Sequence, residues 1–213
     1  MNIIEMHTMC DLLLDKANAP WFSPIEKDSY LNMAHMEFAE TRYRKFETDE
    51  RTRKELLPLV RRNTGGTTSS INLSAISGFM FILNVLGVFT DVCGTTTTTR
   101  KISPLQLDDE GDNELDPFNR SANDNPTYTE ENDGTNNIVL IKSDFAPVSY
   151  VLKYLMIPPK VLNDEVVPGN NINSIMPEFT HEEIVNIAVR KMMATTEQQL
   201  NYQMQNNEIN NQN

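Results

Sequence analysis

Apolar positions recur at spacings of three and four through two stretches of this chain and fall into short strand-like runs between them. Tyr30, Leu31, Ala34, Phe38, Ala39, Tyr43 and Phe46 lay an apolar and aromatic stripe along one side of a helix. Ser23-Pro24-Ile25-Glu26 opens that helix as a capping box with proline at the first helical position, and Phe22 stands where an apolar side chain can staple onto the first turn. A second helix is predicted to follow at once. Thr48, Asp49 and Glu50 supply acceptors and negative charge to its start, Arg61 and Arg62 positive charge to its last turn, and Asn63-Thr64-Gly65-Gly66 its stop. Pro58 predicts a kink or an early end near Leu57. The pair reads as a helical hairpin over residues 23–62. Residues 2–18, with Ile3, Ile4, Met6, Met9, Cys10 and Leu12 to Leu14, predict a short helix before it.

Past Gly66 the pattern changes. Residues 79–92 are rich in Phe, Val, Ile and Leu and predict a buried strand pair, and the threonines 95–99 with Arg100, Lys101 and Ile102 suit a half-exposed strand. Ile138 to Lys142 and Val148 to Ile157 are further strand candidates, the second closed by Pro158-Pro159. Three to five strands are expected over residues 67–161. A polar connector covers residues 163–174. A second capping box, Thr180-His181-Glu182-Glu183, then begins a helix over 180–195 whose stripe is Ile184, Val185, Ala188, Val189, Met192 and Met193. Beyond Thr196 only Leu200, Tyr202, Met204 and Ile209 interrupt Gln and Asn, so residues 196–213 are expected to be a polar tail ordered by a partner. The fold class predicted is α+β: a helical bundle of N-terminal helix, hairpin and C-terminal helix, with a small antiparallel sheet carrying a long acidic loop. Residues 1–195 are expected to form a single domain.

Charge sharpens this picture. The 213 residues carry a net charge of −12, and the segment 108–133 holds ten carboxylates against Arg120 alone. With few large apolar groups, that segment reads as a loop excursion from the sheet. A mean hydropathy of −0.44 and a pI near 4.7 argue against tight binding of nucleic acid through its phosphates. The longest apolar run, residues 79–89, is broken by Asn84 and Gly87 and falls short of the roughly 20 residues a membrane crossing needs. Two distant cysteines, Cys10 and Cys93, and no recognisable secretory leader lead to the expectation of a reducing compartment.

Candidate chemistry is sparse. His7 and Cys10, three apart, could face a metal with His35 as a third ligand, but two ligands without a second pair are a weak zinc signal, and a packed helix face with a buried thiol is the better reading. His181-Glu182-Glu183 is explained by its cap. Residues 108–116 lack the ligand register of a calcium loop, Gly65-Gly66-Thr67-Thr68 has no lysine to make a phosphate loop, and neither a nucleophile elbow nor a dinucleotide fingerprint occurs. No enzymatic activity, cofactor or metal is expected.

The order of three groups of residues carries a resemblance. They are Leu13 to Arg62, including Asn18-Ala19-Pro20-Trp21-Phe22-Ser23-Pro24 and the charged helix around Thr41 to Lys54; Tyr150-Val151-Leu152-Lys153-Tyr154 with Pro158-Pro159-Lys160-Val161; and Met176-Pro177-Glu178 through His181-Glu182-Glu183-Ile184-Val185 to Ala188-Val189. In them the chain resembles neck or ring proteins of the head-to-tail connector in short-tailed, crAss-like phages. The resemblance implies a structural virion protein, assembled in the bacterial cytoplasm as a homo-oligomeric ring of about twelve. Such a ring would link portal protein to adjacent ring or tail proteins and line the conduit through which DNA passes without sequence-specific binding. It implies subunit contacts through Arg42, Arg44, Lys45, Asp49, Glu50 and Arg51, and docking onto the portal through Leu200, Tyr202, Met204 and Ile209. The competing class is a cytosolic interaction or regulatory domain whose sheet or acidic loop binds a basic partner.

Overall fold

The computed structural model describes residues 1–16, 21–90, 96–106, 108–116, 120–164 and 167–211, with side chains omitted at Glu114, Pro168 and 197–211. The chain divides into two compact units, one made of residues 1–59 and 158–213 and the other of residues 60–157.

The first unit is helical. α1 (Ile3–Lys16), α2 (Pro24–Tyr43), α3 (Glu50–Leu56) and, after the chain returns, α5 (His181–Asn211) make it up. α2 starts as its sequence dictates: the Glu26 N–H donates to Ser23 Oγ at 3.4 Å, and Glu26 Oε2 accepts the Ser23 N–H at 2.8 Å. Phe22 meets Tyr30 edge-on, with ring centroids 5.8 Å apart. Leu31, Ala34 and Phe38 of α2 and Ile184, Ala188 and Met192 of α5 are all buried, because α1 and α2 both pack on α5. Lys191 Nζ reaches Glu37 at 2.5 Å across the α2–α5 seam.

The hairpin ends sooner than its pattern predicts. α3 stops at Leu56, residues Leu57–Leu59 tighten into a 3-10 turn around Pro58, and Val60–Gly65 is strand β1. Arg61 and Arg62 therefore lie in a strand. Their charge suited a helix C-terminus, but cross-strand pairing with the strand Ser149–Met156 decided the conformation.

The second unit is a seven-stranded mixed sheet in the order β1-β7-β3-β4-β5-β6-β2, and this overturns the expectation of a helical bundle with a small antiparallel sheet. Among the described residues the strands number seven beside five α-helices, so the sheet is a principal layer, shaped as a half-barrel. Its strands are β1, β2 (Ser70–Asn72), β3 (Phe79–Thr90), β4 (Thr97–Pro104), β5 (Thr127–Asn132), β6 (Asn137–Lys142) and β7 (Ser149–Met156). The expected pair over residues 79–92 is one twelve-residue strand, β3, with partners on both sides. The expected acidic loop contains α4 (Glu110–Leu115) and β5, whose Thr127, Tyr128 and Thr129 are buried.

All neighbours are antiparallel except β4 and β5, joined in parallel at Ser103↔Thr127 and Pro104↔Tyr128. The curvature follows from connectivity. Edge strands β1 and β2 are separated by residues 66–69 only. Six strand spacings would set them roughly 29 Å apart in a flat sheet, whereas five Cα steps reach at most about 19 Å. Curling encloses a core of Val85, Phe89, Ile102, Val139, Leu152 and Tyr154 on the concave side.

Candidate interaction surfaces

The described side chains offer binding surfaces and interior polar networks more than chemistry. Among the described residues no three His, Cys, Asp or Glu side chains gather to hold a metal ion, and no described helix is long and apolar enough to cross a membrane.

All three histidines lie in the helical unit and are buried: His7, His35 and His181. His7 and His35 bond to the two ends of the polar connector, Asn163 and Ser174, and His181 to Met176 just beyond it. His7 Nε2 sits 2.8 Å from Asp28 Oδ1, while its Nδ1 faces the Asn163 amide nitrogen at 3.3 Å. With that amide donating to Nδ1, the ring carries its proton on Nε2 and donates to Asp28. The second Asp28 oxygen accepts the Asn163 N–H at 3.0 Å. His35 Nδ1 donates to the Leu31 carbonyl at 2.7 Å and its Nε2 accepts from Ser174 Oγ at 2.8 Å. His181 Nε2 donates to the Met176 carbonyl at 2.9 Å. Asn32 brackets Val161, accepting its N–H at 2.7 Å and donating to its carbonyl at 3.1 Å. The connector is thereby strapped to α1, α2 and α5. Burial is the first cause of a His35 pKa below the usual imidazole range, and a charge on His181 lowers it further.

Cys10, considered with His7 and His35 as a metal ligand, is a buried thiol with a pKa pushed up to about 12, chiefly by burial and then by Asp11. Such a thiol is unreactive.

The charged residues from 42 to 51 are largely engaged within the subunit. Arg42 Nε lies 2.9 Å from Glu55 Oε2, its Nη2 is 2.6 Å from Glu183 Oε2, and its guanidinium covers the Phe38 ring at 5.1 Å. The Arg42 N–H is misaligned for a hydrogen bond to Glu55, so that contact is ionic. Arg51 Nε donates to the other Glu55 oxygen at 3.0 Å, and Glu50 pairs with Lys54 at 3.0 Å. Asp49 caps α3, accepting from Thr52 Oγ1 at 2.7 Å and the Arg51 N–H at 3.0 Å, and these bonds, the Thr52 one foremost, hold its pKa down. Arg44 and Lys45 are exposed, and among the described residues form no ion pair. The buried centre of the group is Glu55, 2% exposed, a position that the predicted apolar stripes do not include. Its spacing of four from Arg51 was the available signal.

The backbone of α5 continues helical through Leu200, Tyr202, Met204 and Ile209 to Asn211, and the side chains of those four lie outside the described residues. Thr180, expected to cap this helix in a box with Glu183, donates its hydroxyl to the Pro177 carbonyl at 2.7 Å and ends a 3-10 turn.

In the sheet unit, Glu110, Arg120, Ser121, Lys142, Ser143 and Asp144 line an open cleft of about 600 Å³. Its cations face carboxylates, Lys142 on Glu110 and Arg120 on Asp144 at 3.8 Å. Among the described residues that line it, each charged side chain faces one of opposite sign.

Compared with known proteins, the chain matches no family model and no curated sequence.

Proposed function

We propose that this chain is a non-enzymatic structural subunit that assembles as a ring in the head-to-tail connector of a short-tailed, crAss-like phage, between portal and tail. The observation that carries the reading is the length of α5 against its composition. Its apolar stripe ends at Met193, yet the backbone stays helical to Asn211 through a run of Gln and Asn. The last sixteen residues amount to roughly 24 Å of helix. A helix polar on nearly all sides has little stability of its own, and on this reading it is held by contacts outside its subunit. Leu200, Tyr202, Met204 and Ile209 are the apolar anchors available to a portal or neighbouring ring. The strongly acidic balance suits a conduit wall, since it repels phosphates passing by.

The test is co-production with the portal protein and adjacent neck proteins, read by mass photometry and negative-stain imaging. A ring of about twelve copies bound to the portal is expected. A chain lacking residues 196–213 should keep its far-UV circular dichroism melt, because it retains the buried stripe of α5 from Ile184 to Met192, and should fail to join the particle. A full-length chain that stays monomeric beside its neighbours, or a truncated one that joins normally, counts against the reading.

A further inference from the structure

The convex face of the β1-β7-β3-β4 part of the sheet is set by register. Val85, Leu152 and Ile102 point into the core, so the alternate positions point away from it. One ladder across that face reads Arg62, Lys153, Asn84, and the next reads Thr64, Val151, Leu86, Lys101. Val88 lies one ladder further on. Leu86, Val88 and Val151 are half-buried, while Arg62, Lys153 and Lys101 are exposed and form no ion pair among the described residues. In a chain of net charge −12, three free cations around an apolar centre are a local reversal of sign.

The complement sits elsewhere in the same unit. Leu115 of α4 is 83% exposed, and Asp108, Asp109 and Asp112 beside it are exposed and form no ion pair among the described residues. Asp112 and Leu115, three apart, share one helix face, and Gly111 leaves that face open. Among the described residues α4 forms no ion pair with Arg62, Lys101 or Lys153 of its own copy. Glu110 ties it to Lys142 on β6, and β6 is four strand positions from the β7 that bears Lys153, roughly 19 Å along the sheet.

Building on the ring reading, we propose that the convex face bearing Arg62, Lys101 and Lys153 is the docking surface for α4 of a second copy, in a head-to-tail contact. Leu115 seats on Leu86, Val88 and Val151, and Asp109 and Asp112 meet the cations around them. Each copy offers one face and one helix, the heterologous arrangement that closes into a ring. The helix fits within the face, since six helical residues span about 9 Å and three strand spacings about 14 Å. A nucleic acid is the poorer occupant: three cations neutralise few phosphates, and an apolar centre gives the backbone nothing to bind.

The experiment is a charge swap in the full-length chain. Lys101→Glu with Lys153→Glu makes the face acidic, and Asp109→Lys with Asp112→Lys makes the helix basic. Sedimentation velocity is run at the highest soluble concentration, with circular dichroism melts confirming that both fold. Each double variant alone should self-associate at least about tenfold more weakly than wild type. Mixed one to one, they should associate again, because acidic face meets basic helix and basic face meets acidic helix. The proposal is overturned if either variant alone assembles like wild type, if the mixture fails to recover, or if wild type shows no self-association. DNA binding by wild type that the face variant abolishes, with self-association unchanged, would give the face to nucleic acid and overturn it too. Ring formation on the portal is read separately, so portal-bound rings of a charge-reversed variant would sink this contact and leave the ring reading standing.

Discussion

His7 and Asp28 form a buried pair, Nε2 to Oδ1 at 2.8 Å, and the other oxygen of the same carboxylate holds the Asn163 N–H at 3.0 Å. One side chain thus joins α1, α2 and a connector more than 130 residues further along the chain. Asp28→Ala leaves an imidazole N–H and a backbone N–H without acceptors in the interior. A loss of about 2–4 kcal/mol is expected in urea titration followed by circular dichroism. Asp28→Asn keeps one acceptor and should lose less.

Stability of the helical unit should fall on mild acidification. His35 is neutral in the folded state, with its pKa below the usual value because it is buried and close to His181. The unfolded chain binds that proton more readily, so the contribution is complete above the unfolded pKa of about 6.5 and is lost as pH drops from there toward the folded value. Protonated Nε2 could no longer accept from Ser174 Oγ, which loosens the strap at that end. Melts of wild type and His35→Gln across this window check the sign: the wild-type curve should descend more steeply.

Glu55 and Arg51 touch each other but should respond very differently to removal. Glu55→Ala uncovers Arg42 at a site where the carboxylate is 2% exposed, and a loss of about 2–3 kcal/mol is expected, moderated because Arg42 retains Glu183. Arg51 is 76% exposed, so Arg51→Ala should change the unfolding free energy by less than about 0.5 kcal/mol. Equal losses would mean that the network acts as one unit.

Two glycines of the sheet unit should be similarly unequal. A Cβ at Gly87 would stand 2.7 Å from the ring of Phe89 and 3.1 Å from Ile102 Cδ1, both fixed in the core. Gly87→Ala is expected to lose about 1–3 kcal/mol by overpacking. At Gly65 the clash is with the Tyr150 ring, but that ring is half-buried and can swing away. Gly65→Ala should shift the midpoint of thermal unfolding less.

Local rules made part of this fold legible in advance. The start of α2 needed only Ser23, Pro24 and Glu26, and its buried face only the spacing of Leu31, Ala34, Phe38 and Ala39, because caps and stripes act within a few residues. The stripe from Ile184 to Met192 followed by the same logic. The strap was not legible, since nothing near His35 announces Ser174.

The sheet shows where sequence stopped and tertiary structure took over. Residues 60–65 carry a helix-compatible charge pattern, and residues 127–132 sit in an acidic run with the composition of a loop. Both are strands because partners distant in the chain accept their hydrogen bonds, Val60 against Leu155 and Thr127 against Lys142 with Ser103 beyond. Apolar spacing and helix caps were written into the chain itself, since they report on neighbours within a turn or two. The curled sheet, its convex cations and the strapping of the connector were decided by pairings whose energy exists only once remote segments meet.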